Sequence, residues 1–341
     1  MQQPTFGILG LAGFIAPRHI QAISAVGGDV TAALDPHDSV GVIDSYFPNA
    51  AFFTEFERFD RHLEKLRRAG RGVDHMTICT PNYLHDAHVR FALRMGAHAI
   101  CEKPLVLNPW NVDAIAEIEA ESEGRVHTIL QLRLHPAIMA IRERYMEACQ
   151  CLAATAESGG TDMPSSPLPG AIGSDTKAEV DVTYITSRGR WYHHSWKGDE
   201  DESGGVATNI GVHFFDMLAW IFGRQLESKV HCRTPDTVSG VLELERARVR
   251  WFLSVNSDHL PAAAIEQGQR TFRSITVNGE EVEFSGGFTD LHTESYRHIL
   301  DRGGFGLDDA RTSIEMVHAI REAPISPLHG EYHPLCLEVQ V

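Results

Sequence analysis

Short apolar runs and longer amphipathic segments alternate over the first part of the chain. Apolar runs with the length of buried strands lie at residues 5–10, 29–34, 75–79, 97–101 and 125–131. Segments that repeat apolar positions every three or four residues, as amphipathic helices do, lie at 17–26, 55–69, 84–95 and 109–123. Strands that alternate with helices in this way predict a parallel sheet covered by helices on both faces.

The pattern changes after about residue 150. Residues 153–178 are rich in Ala, Ser, Gly, Thr and Pro, which predicts a loop insertion. Alternating segments that predict strands follow at 180–187, 229–233, 240–244, 248–255, 272–277 and 282–284. Asn278-Gly279 is a hairpin signal, so this sheet is predicted to be mainly antiparallel. Helical spacing returns at 289–301 and 307–322.

These patterns predict three parts. Residues 1–133 form the parallel-sheet domain, residues 134–322 form an α+β domain on an open, mainly antiparallel sheet, and residues 323–341 form a tail without clear periodicity. A length of 341 residues fits two domains.

Charge and composition exclude several functions. A formal net charge of −16 is poorly suited to general binding of nucleic acids or anionic membranes. The sequence has no apolar run of about 20 residues and no secretory signal at its N-terminus. Its six cysteines are scattered, which predicts a reduced, cytoplasmic protein. Without a His-Glu-x-x-His motif or a tight His/carboxylate cluster in the sequence, we predict no metal site.

Gly10 and Gly13 lie where the first strand turns into a helix, a place where backbone N–H groups can approach a pyrophosphate. The spacing departs from Gly-x-Gly-x-x-Gly, so the glycines alone also fit an ordinary turn. Asp35 ends the second strand, where a carboxylate holds the adenosine ribose and repels a 2′-phosphate. Asp35 could instead cap a turn with Pro36. The combination predicts a Rossmann domain that binds NAD rather than NADP.

Lys103 and His213 are the candidate catalytic residues. The Lys103 ammonium could stabilise an alkoxide, and His213 could accept the proton of an alcohol. Each also has an ordinary alternative, because Lys103 could be a surface residue of the Glu102-Lys-Pro104 turn and His213 a satisfied histidine at a helix N-terminus.

Four motifs together resemble the glucose–fructose oxidoreductase/inositol dehydrogenase family. They are Gly10-Leu-Ala-Gly13, Thr80-Pro-Asn82-Tyr-Leu-His85, Glu102-Lys-Pro104 and Asn209-x-Gly-x-His213-x-x-Asp216. The resemblance covers residues 5 to 322 and implies an N-terminal Rossmann domain, an antiparallel-sheet domain that often forms a subunit interface, and catalysis by Lys103 and His213. It implies cofactor-binding residues Gly10, Ala12, Gly13, Phe14, Ile15, Asp35, Thr80, Pro81, Asn82, His85, Glu102, Lys103 and Arg133.

Further segments, among them 185–192 and 204–213, are similar to bacterial UDP-N-acetylglucosaminuronate 3-dehydrogenases. That resemblance implies NAD-dependent oxidation of C3 of a UDP-linked N-acetylaminouronic acid, on the way to a diamino sugar of surface polysaccharide (lipopolysaccharide O-antigen). In some members, 2-oxoglutarate reoxidises NADH in place. Many family members carry Asp where this chain has Asn209.

An anionic sugar nucleotide needs local positive charge. Arg188, Arg190 and Lys197 lie within ten residues and alternate with Trp191, Tyr192 and Trp196, although a polar loop with core aromatics would look similar. The predicted substrate-binding residues are Lys103, Arg133, Arg190, Tyr192, Trp196, Lys197, Asn209 and His213.

Two other functions stay open from the sequence. One is an NAD-dependent dehydrogenase of a free sugar or inositol, which would not need this basic cluster. The other is a non-catalytic NAD-binding regulator, which would not need both Lys103 and His213. We also predict a homo-oligomer, either a dimer or a tetramer, because an exposed antiparallel sheet face usually needs a cover.

Overall fold

The computed structural model describes residues 3–158, 177–282 and 290–339. The chain divides into two compact units. The first consists of Met1–Leu134, Asp201–Ser203 and Thr289–Glu315, and the second of His135–Glu200, Gly204–Phe288 and Met316–Val341.

The first unit is built on a six-stranded parallel sheet. Its strands are β1 (Thr5–Leu9), β2 (Asp29–Leu34), β3 (Ala51–Phe53), β4 (His75–Ile78), β5 (His98–Cys101) and β6 (Val126–Thr128). Its helices are α1 (Ala16–Ala25), α2 (Phe56–Arg68), α3 (His85–Arg94) and α4 (Pro109–Ala120). The strand order β3-β2-β1-β4-β5-β6 confirms the predicted Rossmann domain. Apolar side chains form a separate buried cluster on each face of the sheet.

The second unit carries a mixed sheet of order β12-β11-β7-β10-β9-β8. Its strands are β7 (Ala178–Thr186), β8 (Gln225–Arg233), β9 (Thr237–Leu244), β10 (Ala247–Ser254), β11 (Thr271–Val277) and β12 (Glu280–Glu281). β7 pairs with β10 in parallel and the other pairings are antiparallel, as predicted. Asn278 (φ 52°) and Gly279 (φ 82°) form the predicted hairpin turn.

The remaining helices are α5 (Pro136–Ser158), α6 (Trp191–His194), α7 (Glu200–Ser203), α8 (Gly205–Asn209), α9 (Val212–Phe222), α10 (Ala262–Glu266), α11 (Leu291–Arg302) and α12 (Leu307–Glu322). Within the described ranges, no single helix has the length and apolar run needed to cross a membrane. The segments Glu200–Asn209 and Val212–Phe222, bent by 47°, meet that requirement only when they are joined.

Several elements were missed, among them strand β3 and helix α5. Strand β3 has three residues at the sheet edge, too few to show a period. The sequence predicted a loop from residue 153, but α5 continues to Ser158, because Ala and Ser there are compatible with a helix. The rest of the predicted insertion to residue 176, and residues 283–284 of the last predicted strand, lie outside the described residues.

The compact units differ from the predicted domains in the segment that contains α11. The sequence placed residues 134–322 in the second domain, whereas the segment up to Glu315 that contains α11 belongs to the first unit. Tyr296 is fully buried and Ile299 is 6% exposed, and both join the core cluster that contains Phe6 and Ile20. The burial of these side chains determines the assignment, and their position late in the sequence gives no sign of it.

Candidate functional site

The glycine turn brings two backbone segments into close approach. Gly10 has φ 86°, and a Cβ at this position would lie 2.7 Å from backbone atoms of Cys79 and Thr80. A Cβ at Gly13 would lie 3.0 Å from the Gly10 carbonyl oxygen. Only glycine fits the first position without moving the neighbouring strand end. The turn leads into α1, which begins at Ala16 with Pro17 in its first turn.

The N-terminus of α1 can bind an anion. Within the described ranges, the N–H groups of Phe14 and Ile15 have no hydrogen-bond acceptor, and the Phe14 side chain is 87% exposed. Free N–H groups and the positive end of the helix dipole suit a pyrophosphate. The turn therefore fits the pyrophosphate of the cofactor, because Gly10 and Gly13 have no Cβ atoms that would block its approach. The residues along the turn are Gly10, Ala12, Gly13, Phe14 and Ile15.

Asp35 is buried at the end of β2 and fixes the turn. Its Oδ2 accepts the Ala12 N–H at 2.8 Å, and its Oδ1 accepts the His37 N–H at 2.9 Å. Each carboxylate oxygen has two lone pairs, so hydroxyl groups of a ribose can still donate to it. Sequence reasoning considered the ribose and the turn as alternatives, and this geometry allows both.

Two residues predicted to bind the cofactor also make hydrogen bonds within the protein. The buried Asn82 amide donates to the Ser203 carbonyl at 2.9 Å, and the Thr80 hydroxyl contacts His88 Nδ1 at 2.9 Å. Pro81, between them, is half-buried. These contacts hold the loop after β4, so the contribution of this loop to cofactor binding remains a prediction.

His85 bridges two loops. Its Nδ1 lies 2.7 Å from the Pro104 carbonyl oxygen and its Nε2 lies 2.8 Å from the Thr80 carbonyl oxygen. Burial lowers the pKa of His85 below its ordinary value. The two backbone hydrogen bonds and the charge of Glu102 act in the opposite direction but do not outweigh burial. Carbonyl oxygens only accept, so the doubly protonated ring satisfies both contacts and the neutral ring satisfies one. The ring nitrogens therefore hold the loops together, and direct contact of His85 with the cofactor remains a prediction.

Glu102 is the centre of a buried cluster that sequence reasoning missed. His19 Nε2 lies 2.9 Å and His292 Nε2 lies 3.0 Å from Glu102 Oε1, and each of the three residues is at most 6% exposed. The sequence does not show this cluster, because 83 and 190 residues separate the partners of Glu102 along the chain. Their ligand atoms lie within 4.8 Å of one another, a set of donors that also suits a metal.

The two predicted catalytic residues lie in different units. Lys103 is half-buried and follows β5 and Glu102 in the first unit, and its N–H donates to Glu102 Oε2 at 3.2 Å. His213 is half-buried in the first turn of α9 in the second unit. Their catalytic roles remain predictions.

The second unit assembles a basic-aromatic cluster around Lys197. The Lys197 ammonium lies 4.9 Å from the Trp196 ring centroid and 5.7 Å from that of Trp191. Burial, followed by the positive charge of Arg188, lowers the pKa of Lys197. Arg190 is exposed at the N-cap of α6. The arrangement brings the cation of Lys197 and two aromatic rings together, and the binding of a substrate there remains a prediction.

Asn209 pairs with Tyr192 in the same unit. The Asn209 amide donates to the Tyr192 hydroxyl at 3.1 Å, and Tyr192 is 1% exposed. Burial is the main reason that the pKa of Tyr192 is raised. An aspartate at this position would accept rather than donate, so the Asn209 amide leaves the Tyr192 proton available to a different acceptor.

Arg133 has an intramolecular partner. Its guanidinium donates to Asp309 Oδ1 at 2.7 Å and to the Asp309 carbonyl at 2.9 Å, and it lies 5.1 Å from the Phe305 ring centroid. The Arg133 side chain is 7% exposed. The sequence proposed Arg133 for the cofactor and the substrate. The structure shows an ion pair with Asp309 from a distant segment, and binding of the cofactor or substrate by Arg133 remains a prediction.

Family profiles match both parts of the chain. The profile described as "Oxidoreductase family, NAD-binding Rossmann fold" matches residues 5–129, and "Oxidoreductase family, C-terminal alpha/beta domain" matches residues 169–322. Among curated relatives, inositol 2-dehydrogenase of Rhizobium meliloti is 28% identical over 64% of this chain and 55% of its own length. The chain spans about half the length of the first curated relatives it matches.

Solved structures give a longer match. The chain is similar to the WlbA (WbpB) dehydrogenase of Thermus thermophilus in complex with NAD and α-ketoglutarate, with 49% identity, a TM-score of 0.88, and coverage of 98% of this chain and 100% of that chain. The same dehydrogenase in complex with NAD and UDP-GlcNAcA gives 48% identity, a TM-score of 0.87 and the same coverage.

Proposed function

Because this chain belongs to the glucose–fructose oxidoreductase/inositol dehydrogenase family of NAD-dependent oxidoreductases, we propose that it oxidises the C3 hydroxyl of UDP-N-acetylglucosaminuronic acid. The observation that carries the proposal is the full-length similarity to a dehydrogenase that binds both NAD and UDP-GlcNAcA. The product is the 3-keto sugar, and its place is in the formation of a diamino-uronic acid for surface polysaccharide.

The chain's own residues handle the hydroxyl proton. Bound NAD supplies the acceptor for the C3 hydride. His213 accepts the hydroxyl proton, because an imidazole titrates close to neutral pH. The Lys103 ammonium hydrogen-bonds the same oxygen and stabilises the negative charge that develops on it. One hydride and one proton leave the substrate, which balances the oxidation of an alcohol to a ketone.

The basic-aromatic cluster supports an anionic substrate. Lys197, Trp196 and Arg188 offer positive charge and flat apolar faces to the diphosphate, the uracil or the carboxylate of a sugar nucleotide. Asn209 and Tyr192 offer hydrogen bonds to sugar hydroxyls without adding negative charge. A neutral inositol would not require these cations.

Reoxidation by 2-oxoglutarate belongs to the same proposal. The NAD and α-ketoglutarate complex of the Thermus thermophilus dehydrogenase supports it. The hydride and a proton would reduce the keto group of 2-oxoglutarate to a hydroxyl and regenerate NAD. We also propose a cytoplasmic homo-oligomer, either a dimer or a tetramer. The open sheet of the second unit supports the assembly, and the buried thiols of Cys79, Cys101, Cys232 and Cys336 support a reducing compartment.

The direct test is turnover by the purified protein. We expect NADH formation, or conversion of 2-oxoglutarate if NADH stays bound, when UDP-N-acetylglucosaminuronate is added. Lys103→Ala and His213→Ala should each lower kcat by about a hundredfold or more while they retain NAD binding. Product mass spectrometry and NADH absorbance measure the first effect, and calorimetric titration with NAD measures the second.

Matched controls and competing substrates make the test decisive. His329→Ala, at an exposed position of the tail, should keep full turnover. Full activity of both Lys103→Ala and His213→Ala would refute the catalytic assignment. Equal turnover of myo-inositol or free glucose would indicate a polyol dehydrogenase instead. Reversible NAD binding with no redox change on any of these substrates would indicate a regulator.

A further inference from the structure

A continuous buried hydrogen-bond network ends at the residue before Lys103. The Tyr296 hydroxyl lies 2.8 Å from the Thr77 hydroxyl and 2.9 Å from His19 Nδ1, so Tyr296 links these two side chains. The same His19 ring reaches Glu102 through Nε2. These side chains come from β4, α1, α11 and the end of β5, and all lie within the first unit. His292, also on α11, completes the network at Glu102.

The chemistry of these groups allows one assignment of protons. Glu102 accepts at Oε1, so both His19 and His292 carry a proton on Nε2. Burial is the main reason that the pKa of His19 is lowered, so this ring is neutral and its Nδ1 accepts. Tyr296 therefore donates to His19, and Thr77 donates to Tyr296. Each oxygen and nitrogen in this chain of hydrogen bonds then has a suitable partner.

The network stabilises a single buried carboxylate. Burial opposes ionisation of Glu102, but the hydrogen bonds from His19 and His292 outweigh it and hold its pKa well below the ordinary value. Burial raises the pKa of the Cys79 and Cys101 thiols and of the Tyr296 hydroxyl. The titratable groups that interact electrostatically with Glu102 include His19, His85, His292, Cys79, Cys101 and Tyr296. At neutral pH the negative charge of this cluster is therefore on Glu102, and the two thiols and the Tyr296 hydroxyl keep their protons.

We propose that His19, His292 and Tyr296 are positioning residues for Lys103, acting through Glu102. The inference rests on the role of Lys103 in the proposed function. Glu102 holds the backbone N–H of Lys103 at its Oε2, while Oε1 is fixed from two helices. His19 lies on the helix that follows the glycine turn, so the network also connects that turn to the lysine. A displacement of about 1 Å at a reacting group costs roughly a hundredfold in rate.

Substitutions can separate positioning from folding. His292→Leu removes the N–H donor, whereas His292→Gln places an amide N–H near the position of Nε2. Tyr296→Phe removes one hydroxyl and keeps the ring in the core. We expect kcat with UDP-N-acetylglucosaminuronate to fall about tenfold to a hundredfold in His292→Leu, to recover at least partly in His292→Gln, and to fall less in Tyr296→Phe. The pH profile of kcat should shift in His292→Leu and Tyr296→Phe, while the Kd for NAD stays within about threefold.

The controls are substitutions of the same type outside the network. The control variants are His329→Leu and Tyr332→Phe. His329 is exposed in the second unit, and Tyr332 lies in the same segment. Both should keep the wild-type kcat and pH profile. A thermal melt of each variant shows whether it is folded. If His292→Leu does not fold, Tyr296→Phe and His292→Gln still test the proposal.

The outcomes distinguish the two proposals. If the wild-type protein does not oxidise the sugar nucleotide, the proposed function fails, and the network is then tested by the rate of reductive methylation of Lys103 with NAD bound, measured by peptide mass spectrometry. Folded His292→Leu and Tyr296→Phe variants with wild-type kcat, pH profile and Lys103 reactivity would overturn the positioning role. Elemental mass spectrometry measures bound zinc. If the wild-type chain holds one zinc ion and the His292→Leu variant holds none, the cluster is a metal site and the proposed network is overturned.

Discussion

At the scale of single residues, Asp35 and Glu102 show how one carboxylate can serve both fold and function. Asp35 holds the N–H groups of Ala12 and His37, and its remaining lone pairs suit a ribose. Glu102 is bonded on both oxygens by protein donors. The hydrogen bonds from His19 and His292 hold the pKa of Glu102 well below its ordinary value, so this carboxylate stays charged and is a rigid acceptor.

Asp35 provides a prediction about the cofactor. Asp35→Ala removes the acceptor of two backbone N–H groups and the repulsion of a 2′-phosphate. We expect the preference for NAD over NADP to fall about tenfold or more, and the free energy of unfolding to drop by roughly 1–3 kcal/mol. Fluorescence titrations with both nucleotides and urea unfolding measure these effects.

The matched control for Asp35→Ala is Asp38→Ala, because Asp38 is exposed three residues later. It should leave both quantities nearly unchanged. An unchanged NAD/NADP ratio in Asp35→Ala would show that Asp35 serves only the turn.

At the scale of elements, an aromatic ladder crosses the parallel sheet of the first unit. Phe6 stacks on His75 at 5.0 Å between ring centroids, His75 lies 5.1 Å from His98, and His98 lies 5.8 Å from His127. The pKa values of His75 and His127 are each lowered to about 4. Burial is the main cause, and the charge of the neighbouring His98 lowers both further. Neutral rings stack without repulsion, so the ladder depends on pH.

The ladder predicts acid sensitivity of the first unit. Unfolded histidine binds a proton near pH 6.5, whereas folded His75 does so at about pH 4. Stability is therefore complete above pH 6.5 and falls as the pH drops toward 4, by about 2 kcal/mol per ring at pH 5. Urea unfolding at pH 7.5 and pH 5 should show a smaller acid loss in His75→Phe than in the wild type.

The control for the ladder is His329→Phe, at an exposed site outside the sheet. It should show the same acid loss as the wild type. Equal pH dependence of His75→Phe and the wild type would exclude His75 as a source of the acid sensitivity.

At the scale of the whole chain, the C-terminal segment has a function that its sequence did not suggest. A short helical turn at Pro334–Glu338 packs on the sheet of the second unit, where Leu335 and Val339 contact the cluster of Ile185, Phe252 and Leu260. His333 Nε2 lies 2.9 Å from the Thr183 hydroxyl. The tail therefore covers part of the sheet face that was expected to need a partner subunit.

The adjoining part of this face is charged. Arg250 makes a bidentate pair with Asp181, with both N–O distances 2.6 Å, and Arg248 contacts Glu243 at 3.2 Å. Charged pairs at a surface tolerate water, so this part of the sheet does not require an apolar cover. The predicted homo-oligomer remains a proposal, and the tail bears on it directly.

Because the tail covers apolar side chains of the sheet, we expect changes in it to alter both the free energy of unfolding and self-association. Leu335→Ala should lower the free energy of unfolding by about 1–3 kcal/mol, whereas Leu337→Ala, at a side chain 66% exposed, should change it by less than about 0.5 kcal/mol. A chain that ends at Tyr332 should self-associate more, because it exposes the apolar cluster. Urea unfolding and light scattering after gel filtration measure both, and a Leu335→Ala as stable as Leu337→Ala would contradict the packing role.

The sequence by itself determined the features that depend on neighbouring residues. Apolar spacing predicted β2 and α12 at their observed bounds, and Asn278-Gly279 predicted a hairpin, because a local period and positive φ are fixed within a few residues. The Gly10 turn and the basic-aromatic segment near Lys197 were predicted for the same reason. Family motifs added the expected roles of Lys103 and His213.

Only the tertiary structure decided which distant side chains meet. Tyr296 contacts His19 from 277 residues away, and Arg133 pairs with Asp309 across 176 residues. No local window contains both partners of such a contact. The packing of α11 and the start of α12 into the first unit brings them together, because apolar side chains such as Ile299 and Ile314 are buried there. The surroundings of Glu102 therefore follow from how the core is packed, and the motif alone could not predict them.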